Sequence, residues 1–168
     1  FKNTSIRKHE FIGFGPMKNL AARLARNDWI FNIDSDEVAD AELMESIRAA
    51  VAENRMQKVF SLSRLNHYDG RLIKACGWYP DIIPRLYHRR FTQFSDRQVH
   101  ESLKLPENTE TQMLAGRLKH YSFENAEGLI RKMQQYSTLY AEENRYKKPA
   151  SPAKALLHGG VSFVKNYF

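Results

Sequence analysis

Asp34-Ser35-Asp36-Glu37 sets three carboxylates within four positions, directly after Trp29-Ile30-Phe31-Asn32-Ile33. The preceding run is mostly aromatic or β-branched, the types that fill a covered pleated surface, so it reads as a buried strand. Open α/β sheets bind ligands at the carboxyl ends of their strands, which is where these acids stand. Two aspartates one residue apart can turn both carboxylates toward one hard divalent cation, and such a cation suits bridging to a diphosphate. The competing reading is a polar turn with an aspartate capping the next helix. Further along, His100-Glu101 pairs an imidazole with a carboxylate. It reads as a general base, a pair of metal ligands or an exposed pair. Gly77-Trp78-Tyr79-Pro80-Asp81 forms an aromatic corner. Its rings suit either the apolar face of a pyranose or a plug over the core.

These residues need elements to hold them. Gly15-Pro16 suits a helix start, with proline at the first helical position. Met17, Leu20, Ala21, Leu24 and Ala25 recur at helical spacing and predict the buried stripe of that helix. Lys18 and Asn19 fall in its first turn, where free N–H groups attract anions; a solvated Lys18 is the alternative. Asp40 predicts the cap of a second helix that buries Leu43, Met44, Ile47, Ala50 and Val51. Strands are expected over 58–65 and 82–89, with Phe91 to Phe94 continuing the latter and Asp69-Gly70 forming a turn. Residues 104–112 read as a polar loop and 117–121 as a last short strand. From Phe123, helical spacing runs to about Arg145, and a Pro-containing break precedes a second helical stretch. The organisation expected is residues 1–122 as a catalytic portion and 123–168 as a helical extension.

At 168 residues the chain supports one sizeable core. A net charge of +7 favours anionic partners. The lone Cys76 rules out an intramolecular disulfide framework, and a reducing compartment is the simplest reading. No apolar run is long enough to span a bilayer, and no signal peptide is visible. From Ala126 onward, seven Lys or Arg face three Glu, so the helical tail suits an anionic membrane surface or docking on its own domain. A nucleic-acid module would rest on the charge and the twenty aromatic residues. No RRM, KH or zinc pattern accompanies them, and a nucleic-acid partner is not expected.

Taken together, Gly13-Phe14-Gly15, Lys18-Asn19-Leu20-Ala21, Asp28-Trp29-Ile30, Asp34-Ser35-Asp36-Glu37, Gly77-Trp78-Tyr79-Pro80-Asp81, Arg85-Leu86-Tyr87 and Val99-His100-Glu101 resemble family 2 glycosyltransferases. The pattern looks most like the bacterial lipopolysaccharide core branch, which adds a β-linked glucose to a core heptose. The resemblance implies an α/β fold of the GT-A type, Rossmann-like with a mixed sheet. It places the strands that read the donor nucleotide before Phe1, so the chain is expected to be a fragment. It implies that Asp34 and Asp36 hold Mg²⁺ or Mn²⁺ against the diphosphate of a nucleotide-sugar donor, with Glu37 extending the motif. Lys18 and Asn19 would lie near the donor. Trp78, Asp81 and Arg85 match the acceptor segment. Glu101 matches the catalytic base, with Asp81 second, and His100 matches a third metal ligand or an acceptor-orienting group. The implied acceptor is a lipid-linked or core oligosaccharide, with a protein or peptide acceptor as the alternative. The implied location is cytoplasmic, peripheral to the inner membrane. Met17 and Tyr87 depart from the branch, which more often has Gln and Phe there.

Overall fold

A computed structural model describes residues 3–97, 101–147 and 151–167. The elements are α1 (Phe14–Leu24), β1 (Trp29–Phe31), β2 (Glu37–Ala39), α2 (Ala41–Glu53), β3 (Lys58–Tyr68), β4 (Arg71–Leu72), β5 (Asp81–His88), β6 (Glu110–Phe123), α3 (Ala126–Asn144) and α4 (Pro152–Tyr167). The sheet runs β1-β5-β3-β6-β2, with β4 paired to β3 across the Asp69-Gly70 turn. The pairing of β3 with β6 is parallel and the others are antiparallel. This mixed α/β arrangement fits a Rossmann-like domain.

Alternation along the central strands sends side chains to two faces. Phe60, Leu62, Leu86, Leu114 and Leu118 form one core with Leu43, Ile47 and Ala50 of α2. Val59 and Tyr87 form a second with Phe94 and Leu103 from the connection between β5 and β6. Burial pushes the Tyr87 phenol up to about 12. Helix α2 starts where the sequence predicts it. Asp40 Oδ1 accepts the Leu43 N–H at 2.8 Å, and Oδ2 accepts the Arg117 N–H of β6 at 2.9 Å. Gly116, at φ 86°, allows that approach, since a Cβ there would overlap the Leu43 backbone nitrogen.

Several expectations are corrected. Trp29, Ile30 and Phe31 are half-buried, and Ile33 is exposed beyond the strand. β2 is an unexpected three-residue strand, recruited by its register on β6 (Glu37 opposite His120, Ala39 opposite Leu118). Phe91–Phe94 does not extend β5; the chain turns at Phe91, and Phe94 bridges to Leu103. The last strand begins at Glu110 rather than Arg117, because parallel pairing with β3 extends it. The buried face of α1 is Gly15, Asn19 and Ala22, while Leu24 is exposed, so the predicted stripe is rotated. On α2, Met44 is exposed and Val51 only half-buried.

The helical tail begins as expected. Asn125 caps α3, its side chain accepting the Gly128 N–H. Tyr136 of α3 stacks on Phe14 of α1 with ring centroids 5.5 Å apart. Leu156, Leu157, Val161 and Val164 of α4 are exposed. Among the described residues no helix is long and apolar enough to cross a membrane.

Candidate active site

Strand register assembles the polar centre. On β3, Arg64 pairs across to Asp81 of β5, and Asn66 lies beside His120 of β6. His120 is flanked on its other side by Glu37 of β2. Four strands, β2, β3, β5 and β6, therefore bring carboxylates, cations and an imidazole together. The turn between β1 and β2 adds Asp34 and Asp36, and α1 adds Lys18.

A single line of alternating charge runs through the site. Glu101 Oε1 lies 2.7 Å from Lys18 Nζ, which is 3.5 Å from Asp34 Oδ1. Arg85 Nη2 bridges Asp34 Oδ2 at 3.0 Å and Glu37 Oε1 at 2.7 Å. Arg64 continues the line, with Nη1 3.4 Å from Glu37 Oε1 and Nε donating to Asp81 Oδ2 at 2.8 Å. The Glu37 side chain has no exposed surface, and its Oε2 accepts the Asp34 N–H at 2.9 Å. Burial at this depth demands such partners, because an unpaired carboxylate is very costly away from water. Burial pushes the Asp34 carboxyl up, but the charges of Arg85 and Lys18 outweigh it, leaving Asp34 below the usual range.

Asp36 faces a different group. Its Oδ2 lies 3.3 Å from His120 Nε2 and 3.9 Å from Lys132 Nζ of α3. The contact with His120 lowers the Asp36 carboxyl, burial opposes it, and the Lys132 charge adds to the lowering. Asn66 holds the imidazole. Its Nδ2 donates to Asp81 Oδ2 at 2.8 Å and to the Trp78 carbonyl at 3.2 Å, both obligate acceptors. Asn66 Oδ1 must then face His120 Nδ1, 2.6 Å away. The Ser122 hydroxyl lies 2.9 Å from Nδ1 and 3.3 Å from Nε2. Beside this group opens a cleft of about 340 Å³, whose lining includes Trp78, Asp81, His120, Phe123 and Lys132. Its volume and its mix of ring faces with polar groups suit a sugar-sized ligand.

The predicted site residues separate into distinct surroundings. Asp34, Asp36, Lys18, Asp81, Arg85 and Glu101 all join the network. Asn19 is buried, and its amide clamps the Phe94 backbone through Nδ2 to the carbonyl (3.0 Å) and Oδ1 to the N–H (2.9 Å). Arg85 is buried too, its remaining Nη1 donating to Asn32 Oδ1 at 2.7 Å. Trp78 lines the cleft and tilts against Phe123. His100 lies outside the described residues. Arg64, Asn66, His120, Ser122 and Lys132 were missed by sequence reasoning. The one available signal was Arg64 and Asn66 at alternate positions of β3, facing the same side. The sequence reads Tyr136 only as one helically spaced position of the amphipathic stretch after Phe123. Lys132 of α3 lies 3.9 Å from Asp36, which puts α3 beside the acidic centre, and the Tyr136 phenol is raised by burial and then by the charges of Glu101, Asp34 and Asp36.

Asp36 and His120 are the side chains best placed to hold a cation. Among the described residues no three His, Cys, Asp or Glu side chains converge as a preformed metal cage. Such a site would need further ligands from a bound substrate.

The chain matches no protein-family model. It is similar to curated proteins named uncharacterized glycosyltransferase: one from Rickettsia typhi and one from Rickettsia prowazekii, each 25% identical over 142 residues. Each alignment covers 79% of this chain and 49% of the relative. A third, from Rickettsia bellii, is 25% identical over 153 residues, covering 84% of this chain and 52% of the relative. The chain thus spans about half the length of the curated relatives it matches, and its similarity to them supports a glycosyltransferase at the family level.

Proposed function

We propose that the chain is the metal- and acceptor-facing portion of a GT-A glycosyltransferase of family 2. It would move a sugar from a nucleotide-sugar donor to an acceptor hydroxyl with inversion, in lipopolysaccharide core or other cell-surface glycan synthesis. The observation that carries this reading is the continuous line Glu101–Lys18–Asp34–Arg85–Glu37–Arg64–Asp81 beside an aromatic cleft. Its Arg64 and Asp81 end lines the cleft, where Asp36 stands against the cleft residue His120, while its Lys18 and Glu101 end offers a second candidate base.

Charge develops on the leaving diphosphate as the glycosidic bond breaks. A divalent cation, Mg²⁺ or Mn²⁺, would supply Lewis-acid stabilisation of that charge from Asp36. Lys18 lies one turn into α1, past the start at Phe14, and supplies a point charge beside Asp34. Its present partner is Glu101. A diphosphate that draws Lys18 away leaves the Glu101 carboxylate open to accept the proton of the attacking hydroxyl. Inversion needs only one in-line displacement, so no covalent enzyme intermediate enters. Trp78 and Phe123 give the acceptor ring apolar faces to lie against. A second assignment of the base is favoured by one observation: Asp81 lines the cleft, and both bonds to its carboxylate fall on Oδ2.

Peripheral attachment to an anionic inner-membrane surface is the matching reading for α4. It presents Leu156, Leu157, Val161 and Val164, carries Lys154 and Lys165, and has no acidic residue between Pro152 and Tyr167.

The test uses the protein that contains this chain. It is offered a panel of nucleotide sugars with core lipopolysaccharide or peptide acceptors, in Mg²⁺, Mn²⁺ or chelator, and nucleoside diphosphate release is followed. Acceptor-dependent release that chelator stops is expected. Asp36→Ala should abolish it, and whichever of Glu101→Gln and Asp81→Asn abolishes it identifies the base. Near-normal turnover in Asp36→Ala would sink the metal role, and no release with any donor would sink the transferase reading.

A further inference from the structure

We propose that Lys132 of α3 reads a phosphate borne by the acceptor, so that a phosphorylated sugar is preferred over a neutral one. This deepens the transferase reading and rests on it for the place of the acceptor ring against Trp78 and Phe123.

Among the described residues that line the cleft, Arg64, His120 and Lys132 can carry positive charge. The protein itself already engages Arg64 and His120. Arg64 Nε donates to Asp81 Oδ2 at 2.8 Å, and its Nη1 lies 3.4 Å from Glu37 Oε1. The His120 ring is held between Asn66 Oδ1, 2.6 Å from Nδ1, and Asp36 Oδ2, 3.3 Å from Nε2. Lys132 differs. Its Nζ lies 3.9 Å from Asp36 Oδ2, too far for a hydrogen bond, and its side chain is partly exposed. With Arg64 matched by Asp81, the Lys132 ammonium is the unmatched charge of the lining. An ammonium is a compact point charge with rotatable donors, which suits a phosphate.

Its position points to the acceptor. Nζ lies 5.1 Å from the Phe123 ring centre, and Phe123 tilts against Trp78. A ring face attracts the cation without using up its N–H donors. The ammonium therefore stands at the same aromatic wall that receives the sugar. The donor diphosphate has a cation of its own in Lys18, on α1 and 3.5 Å from Asp34. Helix α3 is seated so as to present Lys132. Asn125 caps it, and Tyr136, one turn beyond Lys132 on the same face, stacks on Phe14. None of the α3 residues is buried, so Lys132 brings charge rather than core packing to this contact.

The test uses the protein that contains this chain and reads binding by calorimetry and tryptophan fluorescence. The probes are deacylated core oligosaccharide before and after dephosphorylation, mannose 6-phosphate with mannose, and inorganic pyrophosphate. The phosphorylated member of at least one pair is expected to bind at least about 10-fold tighter, the scale of a hydrogen bond to a charged group. Lys132→Met keeps the apolar stem and should bring that ratio close to one, whereas Lys132→Arg should keep the preference. Added salt should shrink the ratio in the wild type, since a partly exposed charge is screened. Equal binding of both members in the wild type, an unchanged ratio in Lys132→Met, or no binding of any sugar overturns the assignment. A loss in Lys132→Met that falls on pyrophosphate instead would give Lys132 to the donor diphosphate and overturn it as well. These readouts need no turnover. A phosphate preference in a protein that transfers no sugar would defeat the transferase reading alone. Transfer with equal kcat/KM to phosphorylated and neutral acceptors would defeat the phosphate reading alone.

Discussion

Truncating Glu37 tests whether the site is held by its buried carboxylate. The Glu37 side chain is fully buried and meets Arg85 at 2.7 Å, Arg64 at 3.4 Å and the Asp34 N–H at 2.9 Å. Removing one member of a buried pair costs about 3–5 kcal/mol, because the partner's charge stays buried. Here the partners keep other contacts: Arg85 retains Asn32 and Asp34, and Arg64 retains Asp81. The expected loss for Glu37→Ala is therefore near the lower end, about 3 kcal/mol. In a domain of this size that lowers Tm by about 6–12 °C. Glu127→Ala is the control. Its ion pair with Arg131 is as short, 2.6 Å, but both side chains are 77% exposed. A pair of that kind is worth about 0.3–0.5 kcal/mol. Urea denaturation followed by tryptophan fluorescence measures both, with the slope checked for constancy. A Glu37→Ala midpoint indistinguishable from that of Glu127→Ala would refute the claim that burial, rather than distance, sets the worth of this contact. A cycle with Arg85→Met should show coupling above about 1 kcal/mol, and additivity would point to Asp34 as the true partner of Arg85.

Gly116→Ala should destabilise by at least about 2 kcal/mol, since it adds a Cβ to a left-handed position and drives it into the α2 backbone; a stability equal to wild type in the same denaturation would contradict the packing of β6 on α2. Acid should weaken the site in a defined direction. Asp34 and Asp36 are both lowered by folding, so each contributes stability that is present above the ordinary carboxylate pKa and lost as pH falls through the lower folded value. The double variant Asp34→Asn/Asp36→Asn should flatten the acid limb of stability against pH, and an unchanged limb would assign acid unfolding to other groups.

Local chemistry was legible in the sequence because its causes lie within one turn. Asp40 caps α2 through a residue three positions on, and Asp69-Gly70 turns β3 into β4 by backbone preference alone. The spacing of Leu129, Met133 and Tyr136 needs only a helical period. The carboxylate turn after Trp29–Phe31 was equally visible, since its residues are contiguous. What fails is anything set by a distant partner. Three residues such as Glu37–Ala39 have no intrinsic claim to be a strand, and pairing with β6 makes them one. Asn19 is buried against its polarity because the Phe94 backbone needs both halves of its amide, and this rotates the buried face of α1. Arg64, Asn66 and His120 carry no motif. They reach the carboxylates only because β3 pairs with β5 on one side and lies parallel to β6 on the other, in a register that a shift of one residue would turn to the opposite face. The residue types near the chemistry were therefore readable from sequence, whereas which carboxylate meets a cation, a histidine or a cleft was decided by strand register.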